Sequence, residues 1–297
     1  LNRDPYAADP PGTNEKKYKS WNIEARDTIR TSDNNKLIFG GEYRGDKASI
    51  YSGDNTVKNT DQYSLYLYDE YRVDNKLLLT PAIRYDYHKS FGSHTSPNLG
   101  ATYFISDKSR FKANYGTSYR APSVDELYGA FTHGGIWGGM AIVGNPDLKP
   151  EKSKGWEISY EQEFGDTTSA KLTYFDNKKE DAISYKIEMA PPSQMGKFYN
   201  IDSTSSKGVE FEIKHDFGKG FTLVGNYNWL DSVDDTTGER LNYNARNTYM
   251  AKLMWTEPIK KEWNITAWNK WYTDFQYDSD TGYSDNTFNC TVTKRGG

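Results

Sequence analysis

From Leu77 to His88 the chain alternates between an apolar and a largely polar set of side chains. Leu77, Leu79, Pro81, Ile83, Tyr85 and Tyr87 occupy one set of positions, and Leu78, Thr80, Ala82, Arg84, Asp86 and His88 the other. Successive side chains point to opposite faces of an extended backbone, so this spacing predicts a strand with one apolar and one mainly polar wall. The same period returns along the chain. Phe111, Ala113, Tyr115, Thr117 and Tyr119 alternate with Arg110, Lys112, Asn114, Gly116 and Ser118. Val209, Phe211 and Ile213 alternate with Glu210, Glu212 and Lys214, and Phe221, Leu223, Tyr227 and Trp229 with Thr222, Asn226 and Asn228. A period of two repeated this often predicts an all-β fold.

Composition decides what surrounds those strands. Only 35% of the residues are hydrophobic, and the mean hydropathy is −0.89, values that point to water. Yet aromatics make up 15% of the chain, with 24 Tyr and 8 Trp, whereas disordered chains are poor in them. No apolar run is long enough for a transmembrane helix. A transmembrane barrel escapes that requirement, because each strand needs an apolar residue only at every second position.

The connections separate into two classes. Short polar turns lie at Ser32–Asn35, Asp74–Asn75, Asp107–Ser109, Gly165–Asp166 and Gly218–Gly220. Between them come longer Gly- and Asp-rich stretches at 45–60, 120–153, 187–197, 232–246 and 276–284. Short turns on one side and long loops on the other are expected of an outer-membrane barrel, with the loops outside the cell. Strands are predicted near 21–31, 35–48, 62–73, 76–88, 97–105, 110–119, 155–164, 169–186, 198–217, 221–232, 247–256, 263–277 and 285–294. Tyr85, Tyr87, Tyr115, Tyr119, Trp229, Trp255, Trp268, Trp271 and Tyr272 fall near strand ends, where amphipathic rings suit the headgroup level. A soluble sandwich also alternates, but strand length and loop asymmetry favour the membrane. About thirteen strands is an odd number, and single-chain bacterial barrels have even ones. The chain has neither initiator Met nor signal sequence at its start. Residues 1–297 are therefore expected to be an incomplete barrel, truncated at both ends.

The remaining counts exclude several functions. The net charge of −4, from 37 basic and 41 acidic residues, gives no electrostatic case for nucleic-acid binding. Cys290 is the single cysteine, so neither an intrachain disulfide nor a cysteine zinc cluster is expected. No Gly-rich phosphate loop, H-E-x-x-H or G-x-S-x-G motif is present, and no enzyme is expected.

Two short boxes flank the stretch at 120–153. Tyr119-Arg120-Ala121-Pro122 closes one strand, and Asn145-Pro146-Asp147-Leu148-Lys149-Pro150-Glu151 precedes the next. Pro122 removes a ladder donor and launches the loop, while Asn145-Pro146-Asp147 is turn chemistry. By alternation Tyr119 is expected to face lipid and Arg120 the vestibule. Read as structure, both boxes are corners that fix where the loop leaves and returns.

This pair of boxes resembles the TonB-dependent outer-membrane receptors, and the barrel pattern extends the likeness over nearly the whole chain. The resemblance implies a partial transmembrane antiparallel β-barrel, about 13 strands of about 22, without its plug domain. It implies active transport powered by the TonB-ExbB-ExbD complex through that plug. A histidine between the boxes is similar to the haem-uptake branch, where it ligates haem iron; here that residue is His133. Haem would be a transported ligand, not a covalent cofactor. Tyr128, Phe131 and Trp137 would stack on the macrocycle, with Arg120 beside it, and His88 and His94 would assist. Host haemoproteins are the implied source of haem; ferric siderophores and cobalamin are the alternative ligands. Passive diffusion through a porin-like pore and a soluble adhesin or carbohydrate binder are the competing functions.

Overall fold

A computed structural model describes residues 17–50, 56–133, 140–190, 193–277 and 280–294. Its strands are β1 (Lys17–Ser32), β2 (Asn35–Ile50), β3 (Thr56–Arg72), β4 (Leu77–His88), β5 (Gly92–Ser106) and β6 (Ser109–Arg120). A one-turn helix α1 (Val124–Tyr128) and two short strands β7 (Ala130–His133) and β8 (Met140–Val143) follow. The main series resumes with β9 (Glu151–Phe164), β10 (Thr168–Ala190), β11 (Ser193–Gly218) and β12 (Phe221–Asp234). It ends with β13 (Asn244–Thr256), β14 (Trp263–Tyr277) and β15 (Asp280–Lys294).

Thirteen strands pair antiparallel with their sequence neighbours in one continuous sheet, with β6 joined directly to β9. The expected strand number holds. The expected loops were too long: β2 continues to Ile50 and β3 begins at Thr56, while β10 and β11 reach Ala190 and Ser193. Polar, Gly-containing sequence is compatible with a ladder once two such segments satisfy each other's backbone groups, as Tyr185–Ala190 and Ser193–Phe198 do. Among the described residues no ladder joins β1 to β15, so the barrel is open.

Exposure along the strands identifies the solvent. In β3, Leu65 is 65% exposed while its neighbour Ser64 is 3% exposed. In β4, Tyr85 and Tyr87 are 43% and 44% exposed, and Asp86 and His88 only 4% and 3%. This is the inverse of a water-soluble sheet. Each fully exposed Leu would cost about 2 kcal/mol in water, and none of that in hydrocarbon. Tyr63, Tyr115, Trp156 and Tyr174 mark one end of this outward apolar face and Tyr71, Phe111 and Phe164 the other. Polar side chains pair across the inner face, where Ser64 Oγ donates to Asp86 Oδ1 at 2.6 Å and Arg84 reaches Glu42 at 2.8 Å. The wall is a membrane β-barrel, as alternation predicts.

Turns at one end are short, as at Asp74, whose Oδ1 accepts from the N–H groups of Lys76 and Leu77, both at 2.7 Å. The opposite end carries the two longest connections, β6 to β9 with α1, β7 and β8, and β12 to β13. That end is the outer rim.

Candidate functional site

The segment between β6 and β9 is not an open loop. Ser123 caps α1 by accepting the Glu126 N–H at 3.2 Å, and the Glu126 carboxylate accepts the Ser123 N–H at 2.7 Å. Ser123-Val124-Asp125-Glu126 is thus a capping box, a signal readable in the sequence that the loop assignment passed over. Capping satisfies the first N–H groups and lets a single turn persist. The turn buries Val124 and Leu127, and Val124 packs with Ala48 of β2 while Tyr128 lies against both. Lys58 of β3 places its Nζ 4.8 Å from the centre of the Tyr128 ring. The chain therefore leaves β6, passes the ends of β5 and β4, and docks on β2 and β3. It can do so because β4 and β5 are joined by only residues 89–91.

Arg120 holds this arrangement. Its Nη1 and Nη2 donate to the two carboxylate oxygens of Glu126 at 2.9 and 3.1 Å, and its Nε donates to Glu151 at the start of β9. The second Glu151 oxygen accepts the Ile183 N–H at 2.8 Å. One guanidinium thus ties β6, α1, β9 and, through Glu151, β10. Burial alone would push the Glu126 carboxyl up, but the Arg120 and Ser123 hydrogen bonds outweigh it and hold it below the ordinary value of 4.5. The expected ligand-facing Arg120 is a clasp whose charge two carboxylates already match.

The second corner closes onto the first. The Gly144 N–H donates to Gly129 O at 2.6 Å and the Asn145 N–H to Glu126 O at 2.8 Å. A Cβ on Gly144 would lie 2.5–2.7 Å from backbone atoms of Leu127, Tyr128 and Gly129, so only glycine permits the approach. Asn145 Nδ2 donates to Phe198 O at 2.9 Å, and its Oδ1 accepts the Asp147 N–H at 3.1 Å. Leu148 is buried and Pro146 is exposed. Asn200 of β11 accepts the Lys149 N–H at 2.9 Å and donates to Lys149 O at 3.0 Å. Both boxes are structural corners, joined through α1 and fastened to the outer part of the β10–β11 hairpin. Asn200 went unnoticed in the sequence because its partner lies 51 residues away, and Glu151 was read only as the end of the second box.

The histidines separate by geometry. His88 is buried, and its Nδ1 accepts the Ser90 N–H at 3.1 Å. A neutral ring so bonded carries its proton on Nε2 and offers iron no lone pair. His88, Arg44, Asp46, Thr60, Gln62 and Tyr119 line a cavity of about 290 Å³ beneath the start of the loop. His94 lies opposite Asp86 in the β4–β5 ladder, and its ring stacks on Tyr119 at 4.8 Å between centroids. That places Tyr119 on the polar inner face, not toward lipid. The physical reason is that the β5–β6 ladder stops at Asn98↔Gly116, so beyond Gly116 the end of β6 is held only by β9. Tyr119 Oη is buried without a hydrogen-bond partner among the described residues. His215 shares a hydrogen bond of 2.7 Å with Thr168 Oγ1 at the opposite end of the barrel. Of the remaining expected site residues, Phe131 and His133 fall in β7, although their side chains and the whole of Trp137 lie outside the described residues. Ala121 lies between Arg120 and the buried Pro122, on the lip of the same cavity.

A family model described as TonB dependent receptor-like, beta-barrel, matches residues 2–297. The iron-regulated outer membrane virulence protein of Vibrio cholerae is 29% identical over 235 residues, covering 74% of this chain and 36% of that protein. The heme/hemopexin utilization protein C of Haemophilus influenzae is 27% identical over 242 residues, covering 69% and 34%. A variant of the ferric enterobactin receptor of Pseudomonas aeruginosa aligns with a TM-score of 0.71 at 18% identity, over 93% of this chain and 45% of that one. The chain thus spans about a third of the length of these curated relatives.

Proposed function

Because this chain belongs to the TonB-dependent receptor β-barrel family, we propose that it is part of the wall of an outer-membrane receptor that takes up haem. The observation that supports haem is a histidine, His133, lying between the two corners. It ends β7, in a hairpin held at both ends by the fastened corners at Arg120 and Asn145. We read a histidine on so anchored a segment, outside the membrane band, as the residue that meets ligand from the cell exterior. The likeness to a protein named for haem and hemopexin utilization supports the same reading. In the whole receptor, a plug of about 120–150 residues, the size of one domain, would close the lumen. The TonB-ExbB-ExbD complex would act on that plug, and host haemoproteins would supply the ligand.

A haemin titration of the whole receptor in detergent, followed at the Soret band, tests this reading. Saturable binding with a coordinated-haem spectrum, lost in His133→Ala, is the expected outcome. A broad, non-saturating signal in the wild type would remove haem and leave a ferric siderophore or cobalamin as the ligand.

A further inference from the structure

The outward face of the wall changes character just beyond its outer aromatic row. In β1, Trp21 is 42% exposed and Ile23 65% exposed, and alternation puts Lys19 on the same side. Lys19 lies directly opposite Lys47 of β2, and Lys47 opposite Asn59 of β3. All three are exposed. One step nearer the membrane, Trp21 lies over Gly45, where an added Cβ would come 2.6 Å from the indole nitrogen. Like charges directly opposite each other destabilise a ladder, and an anion between them would reverse that. Asp61 of β3 cannot serve, because it is already engaged. Tyr43 Oη donates to its Oδ1 at 2.8 Å, and Lys89 Nζ lies 3.7 Å from its Oδ2. Among the described residues neither Lys19 nor Lys47 has an ion pair. Farther round the same rim the outward lysines are matched. Lys154 lies 4.0 Å from Glu180 and Lys178 3.7 Å from Asp235, while Lys207 stands opposite both Asp176 and Asp231.

We propose that Lys19, Lys47 and Asn59 form a clasp for the phosphate of an anionic lipid in the outer leaflet, whose acyl chains lie on the apolar wall below. The site is independent of which nutrient the receptor carries. Paired positions bring Cβ atoms to about 5 Å, so two ammonium groups and one amide can close on a single headgroup. Trp21 occupies the headgroup level beneath them, where its amphipathic ring is favoured. Ile23 follows Lys19 by four residues, about 13 Å along the strand, and Leu65, 65% exposed, continues the apolar wall on β3. Cations above and apolar side chains below reproduce the two halves of a phosphorylated lipid. A soluble anion or an acidic protein segment would make no use of that wall.

The test titrates the whole receptor, purified in uncharged detergent, with pyrene-labelled phosphatidic acid, read by energy transfer from the tryptophans. Phosphatidylcholine with the same chains and inorganic phosphate are the comparisons. Phosphatidic acid should bind saturably and more tightly than phosphatidylcholine. A basic residue at the membrane surface contributes about 1 kcal/mol, or about fivefold, so removing both charges in Lys19→Gln/Lys47→Gln should weaken it about twentyfold. Lys19→Arg/Lys47→Arg should keep it. Lys154→Gln/Lys178→Gln makes the same change in net charge at matched positions and should stay within about twofold of wild type. Retained strand circular dichroism shows that each variant is folded. Equal losses in the two glutamine variants would reduce the effect to net charge and overturn the clasp. Wild-type affinity in Lys19→Gln/Lys47→Gln would overturn it as well. Displacement of the lipid by millimolar phosphate would show a site for the free anion in its place.

Discussion

Arg120 shows how one residue type settles local order. A planar guanidinium can serve two carboxylates at once, which the point charge of a lysine cannot do in the same geometry. Arg120→Ala should therefore remove the cation that Glu126 and Glu151 share, leaving Glu151 with the longer Lys179 contact at 3.9 Å. The local opening free energy at the Asn145 amide should fall by about 2 kcal/mol, as for other charged hydrogen bonds, and hydrogen exchange reads this directly. Lysine should restore only part of the loss. Gly144→Ala makes a different prediction, because its added Cβ meets backbone rather than a flexible side chain. Protease nicking within residues 120–150 should rise in that variant while the strand signal of the barrel is unchanged. In the sequence, Arg120 read as a charge beside the vestibule; its partners became visible only when the fold brought β9 and α1 to it.

At the scale of an element, α1 is a single turn that exists because both its ends and its apolar face are satisfied. Ser123→Ala removes the cap and should cost about 1 kcal/mol of that turn's stability, seen as faster exchange at Leu127, whose N–H bonds Ser123 O at 3.1 Å. The latch should also depend on pH. Glu126 is held below its ordinary value of 4.5, so its contribution is fully present above that value and fades as pH falls through the lower folded value. Glu151, the other carboxylate on Arg120, acts in the same direction. Loop protection measured from pH 7 downward should thus be flat to about 4.5 and then decline; a decline already complete by pH 6 would rule out this latch. The capping box was legible in the sequence, since it needs only local spacing. The length of β10 and β11 was not, since polar strands signal themselves through pairing rather than through hydrophobic alternation.

For the whole molecule, the inverted exposure of the wall makes the solvent part of the fold. Leu67 faces outward between the Tyr63 and Tyr71 levels and pairs with Ile83 and Phe39. Leu67→Arg should cost about 2–4 kcal/mol of folding stability in lipid vesicles, with smaller costs for arginine nearer the rims. A cost within about 0.5 kcal/mol, normal for a water-exposed surface, would contradict the membrane assignment.

Alternation at Leu77–His88, Phe111–Tyr115 and Val209–Lys214 determined the strands, their faces and the barrel, because period two is a local property of the backbone. The two boxes determined the family, and capping chemistry lay readable between them. Only the tertiary structure decided that Tyr119 turns inward onto His94, that Arg120 is a clasp and that His88 has its lone pair engaged. It also decided that β8 lies beside β11. Each of these depends on residues that meet across strands, and cross-strand distance is set by where ladders end, which no stretch of sequence records on its own.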